Sequence, residues 1–255
     1  MKTNKWTVYK DSVAKWNYEF PPDKLRESGL TFDDVIRNFL RIGEETQLIQ
    51  LCSVNERNPT IEDFMLHFQL LKKQYPYINI TNRGLTSYGK KDFSDFFFST
   101  RHFFYNREGE IGIYDLSKQS SDMIFKDIEY PVLNRRLPIL EFTTGRTGDI
   151  NEEITETIDF TLYSDIWVDS VPCLHCEHWD IREAEIDEVM RKEGVSAVVN
   201  YWSDNGELAT LNREILNSFM AKMNVFLQSI GGRMEPNTGE LSYYEGKLTP
   251  NGIFK

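Results

Sequence analysis

Apolar residues recur with two different periods along this chain, and this restricts the fold more than any other feature of the sequence. Some stretches repeat about every three to four residues, as an amphipathic helix does, and others alternate, as a half-buried strand does. Both kinds are interspersed along the 255 residues without an internal repeat. The pattern predicts an α+β fold, with a mixed or mostly antiparallel sheet packed against about four to five helices.

Helical periodicity appears in several separate stretches. Thr31 and Thr60 each precede an Asp three residues later, the pattern of a capping box, so helices are predicted after both. Gly43 is expected to end or bend the first helix and Pro76 to stop the second. Further helices are predicted over residues 180–192, stopped by Gly194, and over residues 211–230. The positions expected to face the core are Phe32, Val35, Ile36, Phe39 and Leu40 in the first helix, and Phe64, Met65, Phe68, Leu70 and Leu71 in the second.

Alternating stretches predict the strands. They cover residues 6–9, 16–20, 137–142, 157–163, 195–202 and 241–244. Residues 96–105 and 111–114 flank a turn-like stretch and predict a hairpin, with a helix over 91–105 as the competing interpretation. In the stretch 157–163, Asp159 is expected on the exposed face. Residues 203–206 predict a turn.

The organisation expected is a single domain over residues 1–255, because no Pro/Ser/Gly-rich tether divides the chain; two packed halves with a boundary near 145–152 are the alternative. No apolar run approaches the roughly 20 residues that span a membrane, and no apolar segment follows the basic N-terminal residues as in a secretory signal. Three cysteines are too few for a disulfide framework. A cytoplasmic protein without membrane contact is therefore expected.

Negative charge is concentrated in one segment. Residues 149–188 hold 13 Asp and Glu against a single Arg, a net charge of −12, whereas the whole chain carries −11. Such a balance disfavours direct binding of nucleic-acid phosphates. It is typical either of a solvated surface or of a face that attracts a basic protein partner. On the second interpretation, the predicted contact residues are Asp165, Asp169, Glu177, Asp180 and Glu183.

The same segment contains the densest cluster of Cys and His. Cys173, Cys176 and His178 offer three zinc ligands, with His175 as an alternative to His178, although a second knuckle is missing. A C-x-x-C between a predicted strand and a predicted helix also resembles the thioredoxin superfamily, which implies thiol–disulfide exchange. That resemblance covers only these few residues, and no proline stands where the family places its active-site cis proline. The third interpretation is structural: the thiols fill a junction and no metal or cofactor is bound.

Recognised catalytic motifs are missing from the sequence. There is no glycine-rich phosphate loop, no GxSxG elbow and no HExxH helix, and four His leave few general bases. No catalytic residue is assigned. The profile favours a non-enzymatic acidic inhibitor, and bacterial immunity proteins that neutralise basic toxins fit it. The alternative is a zinc-binding or thiol-redox protein that uses the cluster at residues 173–178.

Overall fold

The part of the chain that the structure describes combines helices with three separate sheets. The computed structural model describes residues 12–20, 24, 27–53, 59–74, 79–82, 95–115, 139–147, 155–170, 187–188, 190–194, 205–238 and 247–254. The helices are α1 (Phe32–Glu45), α2 (Ile61–Gln74), α3 (Gly206–Ser229) and a single-turn 3-10 helix at Asp165–Trp167. The strands are β1 (Ala14–Phe20), β2 (Ile49–Ser53), β3 (Asn79–Thr81), β4 (Asp95–Phe97), β5 (Ser99–Tyr105), β6 (Ile111–Asp115), β7 (Leu140–Thr147), β8 (Thr155–Leu162), β9 (Arg233–Thr238), β10 (Lys247–Thr249) and β11 (Gly252–Phe254). The α+β class is confirmed. The expected four to five packed helices are found only in part, because one of the four helices bounded here is a single turn.

Six of the strands form one sheet in the order β4-β3-β7-β8-β1-β9. Its neighbours run antiparallel except β3 and β4, which are parallel, so the prediction of a mixed or mostly antiparallel sheet is confirmed. β1 lies inside the sheet: Ala14 pairs with Leu162 of β8 on one side and with Thr238 of β9 on the other. β7 and β8, which flank the residues near 150, are also neighbours in this sheet.

The core lies between this sheet and helices α1 and α3. Phe39 of α1 stacks on Phe142 of β7 with ring centroids 4.1 Å apart. Phe160 of β8 meets Phe219 of α3 and Tyr18 of β1 edge to face, at 5.8 and 5.9 Å. Alternate residues of the strands supply this face, as the period of a strand requires. Each buried ring stabilises the fold by about 1.5–3 kcal/mol through removal of apolar surface from water.

Helix α1 begins at the predicted capping box and continues past the predicted stop. The carboxylate of Asp34 accepts hydrogen bonds from the backbone N–H and the hydroxyl of Thr31, each 2.8 Å long. Gly43 lies within the helix, which ends at Glu45, so of the two expectations for Gly43, a stop or a bend, the stop is wrong. A Cβ at Gly43 would lie 2.2 Å from Cγ1 of Ile49, so this glycine allows β2 to approach the helix.

Helix α2 also begins at its capping box, with Thr60 and Asp63 exchanging hydrogen bonds of 2.7–3.1 Å. It ends at Gln74, two residues before the predicted stop at Pro76. Phe64, Met65 and Phe68 are buried as expected. Leu70 is 51 % exposed, so its assignment to the core is wrong. It lies two positions from Phe68, which on a helix is the opposite face.

Helix α3 starts five residues before the predicted position, at Gly206. Asn205 is its N-cap residue, and the part of the predicted turn that the structure describes (Asn205 and Gly206) thus begins a helix. Leu216, Phe219, Met220, Met223 and Leu227 are buried along one stripe. Upstream, residues 187–188 and 190–193 are helical, and Gly194 has φ +85° with its N–H bonded to the carbonyl oxygen of Met190 at 3.0 Å, as a helix stop requires. The predicted strands at 6–9, 195–202 and 241–244 lie outside the described residues.

The predicted hairpin is confirmed as part of a three-stranded sheet, β2-β5-β6. Residues 95–105 are extended, so the competing helix over 91–105 is excluded for that part. Asn82 joins this sheet to the larger one. Its Nδ2 donates to Oγ1 of Thr100 at 3.1 Å and to the carbonyl oxygen of Leu140 at 3.0 Å, and its Oδ1 accepts from the N–H of Phe142 at 2.8 Å.

Helices in the described ranges are too short or too polar to cross a membrane.

Candidate functional site

The three-stranded sheet has two unlike faces. Its inward face carries His102, Phe104 and Tyr114, which are buried. Its outward face carries Phe103 and Tyr105 of β5, paired with Ile113 and Ile111 of β6. Ile111 is 58 % exposed and Ile113 43 % exposed. We call Phe103, Tyr105, Ile111 and Ile113 the hairpin face.

An apolar hairpin face is unusual because antiparallel sheets that pack on one side normally present polar side chains on the other. Exposed apolar patches on soluble proteins often mark sites of protein association. The residues that form the face were predicted to be strands, but their role was missed. The sequence did contain a signal: both faces of the hairpin carry large side chains. These are Phe103 and Tyr105 on one face, and His102, Phe104 and Tyr114 on the other.

A cavity of about 250 Å³ opens beside the hairpin face. Apolar groups of β5, β6 and α3 form most of its lining. Polar groups come from the end of α1, the turn that follows it and β2. The lining residues are Glu44, Gln47, Gln50, Phe103, Phe104, Tyr105, Ile111 and Ile215. The polar and apolar parts of the lining thus come from different elements.

The position of α3 against the hairpin fixes the shape of this cavity. The side-chain amide of Asn212 accepts from the backbone N–H of Tyr105 at 2.7 Å and donates to the carbonyl oxygen of the same residue at 2.8 Å. Ile215, one turn along, lines the cavity. On β6, Gly112 lies across from Phe104, and a Cβ there would lie 2.4 Å from the ring. The glycine therefore lets the Phe104 ring lie flat on the hairpin.

Glu44 is the acidic group of the cavity lining. Partial burial raises the pKa of its carboxyl above the ordinary value, because apolar surroundings remove water that stabilises the charge. The neighbouring Glu45 instead faces Lys222, whose Nζ lies 3.2 Å from its Oε2. Arg101 shares the outward side of the sheet with Gln50 but does not line the cavity. A cation placed in the cavity would offset the lost hydration of Glu44.

Gln47 reaches the cavity from a left-handed backbone conformation, with φ +55°. It follows the C-cap of α1 in a Schellman motif. The backbone N–H of Gln47 donates to the carbonyl oxygen of Glu44 at 3.1 Å, and the N–H of Leu48 donates to the carbonyl oxygen of Gly43 at 3.0 Å. Glycine is the usual residue here, since other residues lose about 1–2 kcal/mol in this conformation. Residues in such sparsely populated conformations cluster at functional sites.

The predicted partner-binding residues that the structure describes are not on the open surface. Asp165 is buried in the 3-10 helix, and its carbonyl oxygen accepts from Nδ2 of Asn205 at 3.3 Å. Asp169 forms an ion pair with Arg213 of α3, and both side chains are mostly buried. Both acids therefore link the segment after β8 to α3. Glu177, Asp180 and Glu183 lie outside the described residues.

The predicted metal ligands Cys173, Cys176 and His178 also lie outside the described residues. Within the described ranges, no group of three or more Asp, Glu, His or Cys is arranged to hold a metal ion. Cys52 is buried in β2.

The outer face of the six-stranded sheet holds a second set of polar groups. Glu141 is 3 % exposed and accepts hydrogen bonds from Tyr163 at 2.8 Å, Thr143 at 3.1 Å and Thr81 at 3.2 Å. Asp159 on the next strand accepts from Nδ2 of Asn17 at 2.6 Å. Asp159 lies on the face away from the core, as expected, but its side chain there is half-buried rather than fully exposed.

Burial is the main cause of a raised pKa at Asp159, and the nearby charge of Glu141 adds to it. The bond from Asn17 and the charge of Lys15 act in the opposite direction. The hydrogen bonds of Glu141 run to side chains of β3, β7 and the residue after β8, so this network fastens neighbouring strands together.

Comparison with known proteins does not place the chain in a family: no protein-family model, no curated protein and no solved structure matches it.

Proposed function

We propose that this chain is an acidic, non-enzymatic binding protein of the cytoplasm that neutralises a basic effector protein, as bacterial immunity proteins do. The observation that carries the proposal is an exposed apolar surface, the hairpin face with its cavity, on a chain whose net charge is −11. Protein interfaces combine an apolar, aromatic-rich centre with charged surroundings that select the partner.

The charge supports a basic partner. A concentration of −12 in residues 149–188 creates a field that accelerates association with a cationic protein and disfavours acidic ones. Because Asp165 and Asp169 are engaged within the fold, the acids proposed to meet the partner are Glu177, Asp180 and Glu183. The hairpin face supplies the apolar contacts that charge alone does not provide.

The test uses the full chain as bait in its native source, followed by identification of the bound protein. Affinity for the purified partner is then measured by calorimetry from low to high salt. Reversal of Glu177, Asp180 and Glu183 to Lys should weaken the complex by on the order of tenfold or more and flatten its salt dependence. An unrelated basic protein of similar charge should bind much more weakly.

The matched control reverses Glu19, Glu27 and Glu62 to Lys, which changes the net charge by the same amount. These three acids are exposed and lie outside the acidic segment. The control should retain most of the affinity. An equal loss of affinity in both triple variants would mean that only the net charge matters. Unchanged affinity in both would reject the acidic segment as the contact surface.

The alternative function, a zinc-binding or thiol-redox protein, rests on Cys173, Cys176 and His178. Elemental analysis and thiol titration of the purified chain separate it from the first proposal. Zinc at one equivalent that is lost in Cys173→Ser would favour a metal site. A thiol of lowered pKa that reacts rapidly, without metal, would favour redox chemistry.

A further inference from the structure

We propose that the cavity beside the hairpin face binds the side chain of an arginine from the basic partner. This inference rests on the proposed function and names the group that the partner would insert.

The size and lining of the cavity fit one side chain. Its volume, about 250 Å³, lies below the roughly 300–1,000 Å³ of pockets for drug-sized ligands. Phe103, Tyr105, Ile111 and Ile215 offer apolar surface for the three methylene groups of an arginine. The aromatic rings also attract a cation over their faces, and guanidinium stacks on them more often than ammonium does.

The polar part of the lining offers acceptors for the charged end. The carboxylate of Glu44 can accept two parallel N–H bonds from a guanidinium, and the carbonyl oxygens of the Gln47 and Gln50 amides can accept others. Partial burial raises the pKa of Glu44, and a cation beside its carboxylate would favour the ionised form. A guanidinium carries its charge with weaker hydration than an ammonium, so it is transferred into such a site more easily.

The conformation of Gln47 supports the same assignment independently. Its backbone has φ +55°, and no backbone bond of the Schellman motif needs a glutamine side chain. Gln47 is nevertheless an exposed residue of the cavity lining. The backbone turn thus places a residue with an amide acceptor at the cavity, where a donor from outside can reach it.

The first experiment uses short peptides as probes. Each is acetylated and amidated and carries one arginine, one lysine or one citrulline among glycine and serine. Binding to the full chain is followed by NMR of the isoleucine methyl groups. The arginine peptide should shift the signals of Ile111 and Ile215, with a Kd on the order of 1 mM. The lysine peptide should bind several-fold more weakly, and the uncharged citrulline peptide weakest of all.

Two adjacent substitutions provide the matched pair. Glu44→Gln removes the carboxylate of the cavity and should weaken arginine-peptide binding at least fivefold. Glu45→Gln removes the same charge from the same helix end but outside the lining, and should leave the Kd within twofold. Thermal unfolding of both variants checks that the fold is retained.

Several outcomes would overturn the proposal. Equal binding of the citrulline peptide, methyl shifts away from Ile111 and Ile215, or an unchanged Kd in Glu44→Gln would each do so. Free L-arginine that binds more tightly than the capped peptide would make the cavity a small-molecule site instead. With the purified partner, loss of affinity in the reversal of Glu177, Asp180 and Glu183 but not in Glu44→Gln would reject the cavity and leave the proposed function standing.

Discussion

Local surroundings set the charge behaviour of individual side chains in this protein, and they shift the pKa values of Asp159 and Asp63 in opposite directions. The pKa of Asp159 is raised, mainly by burial on the outer face of the large sheet. The pKa of Asp63 is lowered by the hydrogen bonds from the hydroxyl and the backbone of Thr60 at the start of α2. The folded state therefore disfavours ionisation of the first carboxyl and favours that of the second.

Asp159→Asn is expected to stabilise the protein at neutral pH. Because the folded pKa is raised, ionisation of Asp159 opposes folding as pH rises above the unfolded value, and the full penalty applies above the folded pKa. Unfolding free energies of the wild type and the variant, measured by denaturant titration at several pH values, should diverge as pH rises from the unfolded pKa of Asp159 to its folded pKa. The difference should be smallest at acidic pH, where Asp159 is protonated in both states.

Asp63→Asn is the control of opposite sign. Because the pKa of Asp63 is lower in the folded state, its ionisation adds stability at pH values above its unfolded pKa. That contribution disappears as pH falls through the folded pKa. The variant should be less stable than the wild type at neutral pH and approach it in acid. A shared trend for Asp159→Asn and Asp63→Asn would mean that burial does not govern Asp159.

Gln47→Gly is expected to raise stability slightly while it weakens binding at the cavity. Glycine removes the cost of the left-handed conformation at φ +55° but loses more backbone entropy on folding, so the net gain is about 0.5 kcal/mol. Chemical denaturation measures the gain, and the arginine-peptide titration measures the loss. Gln47→Ala keeps the strain, and it should weaken binding without the gain in stability.

Whole elements depend on the ends that their sequences specify. Thr60→Ala removes the hydroxyl that bonds Asp63 at both its carboxylate and its N–H. We expect a loss of about 1 kcal/mol in the free energy of unfolding, typical of a lost N-cap. Thr60→Ser keeps the hydroxyl and should restore most of the difference. A null effect in Thr60→Ala would mean that water replaces the cap.

Helix starts were predicted correctly where a capping box marks them. Both capping boxes are local patterns, and both helices begin at them. Gly43 was expected to end or bend the helix because glycine disfavours helix, yet here it serves the close approach of Ile49 from β2, a contact that local sequence does not reveal. Conversely, α1 ends at Glu45 and is followed by the left-handed Gln47, where no glycine marks the end. The start of α3 was predicted five residues too late for a different reason: Asn205 and Gly206 suit both a turn and a helix N-terminus.

For the whole molecule, the α+β class followed from the two periodicities, whereas the strand order did not. β1 pairs with β8 and β9, and which strands meet depends on contacts between distant residues. The candidate site was missed for a related reason. Its lining comes from α1, β2, β5, β6, α3 and the turn at Gln47, which only the fold brings together. Charge counts located the acidic segment but could not tell that Asp169 faces Arg213.

Asp169→Asn is expected to destabilise the whole molecule. The substitution leaves Arg213 of α3 mostly buried without its counter-charge, and breaking a buried pair in this way costs about 3–5 kcal/mol. Denaturant unfolding should show the loss, and Asp187→Asn, at an exposed acid of the same segment, should show almost none. A small effect for Asp169→Asn would return Asp169 to the set of surface acids available to a partner.

The interior position of β1 also has a consequence for synthesis of the protein. Its partner on one side is β8: Asn17 of β1 bonds Asp159 of β8, which follows 142 residues later in the chain. Its other partner, β9, comes later still. At about 5–20 residues per second, a ribosome needs roughly 7–30 s to supply the first partner. Throughout that interval Trp16, Tyr18 and Phe20 have no sheet to join. Ribosome-bound chains that stop before β8 should therefore be sensitive to protease at β1 and should recruit chaperones, and resistance should appear only after β8 and β9 emerge.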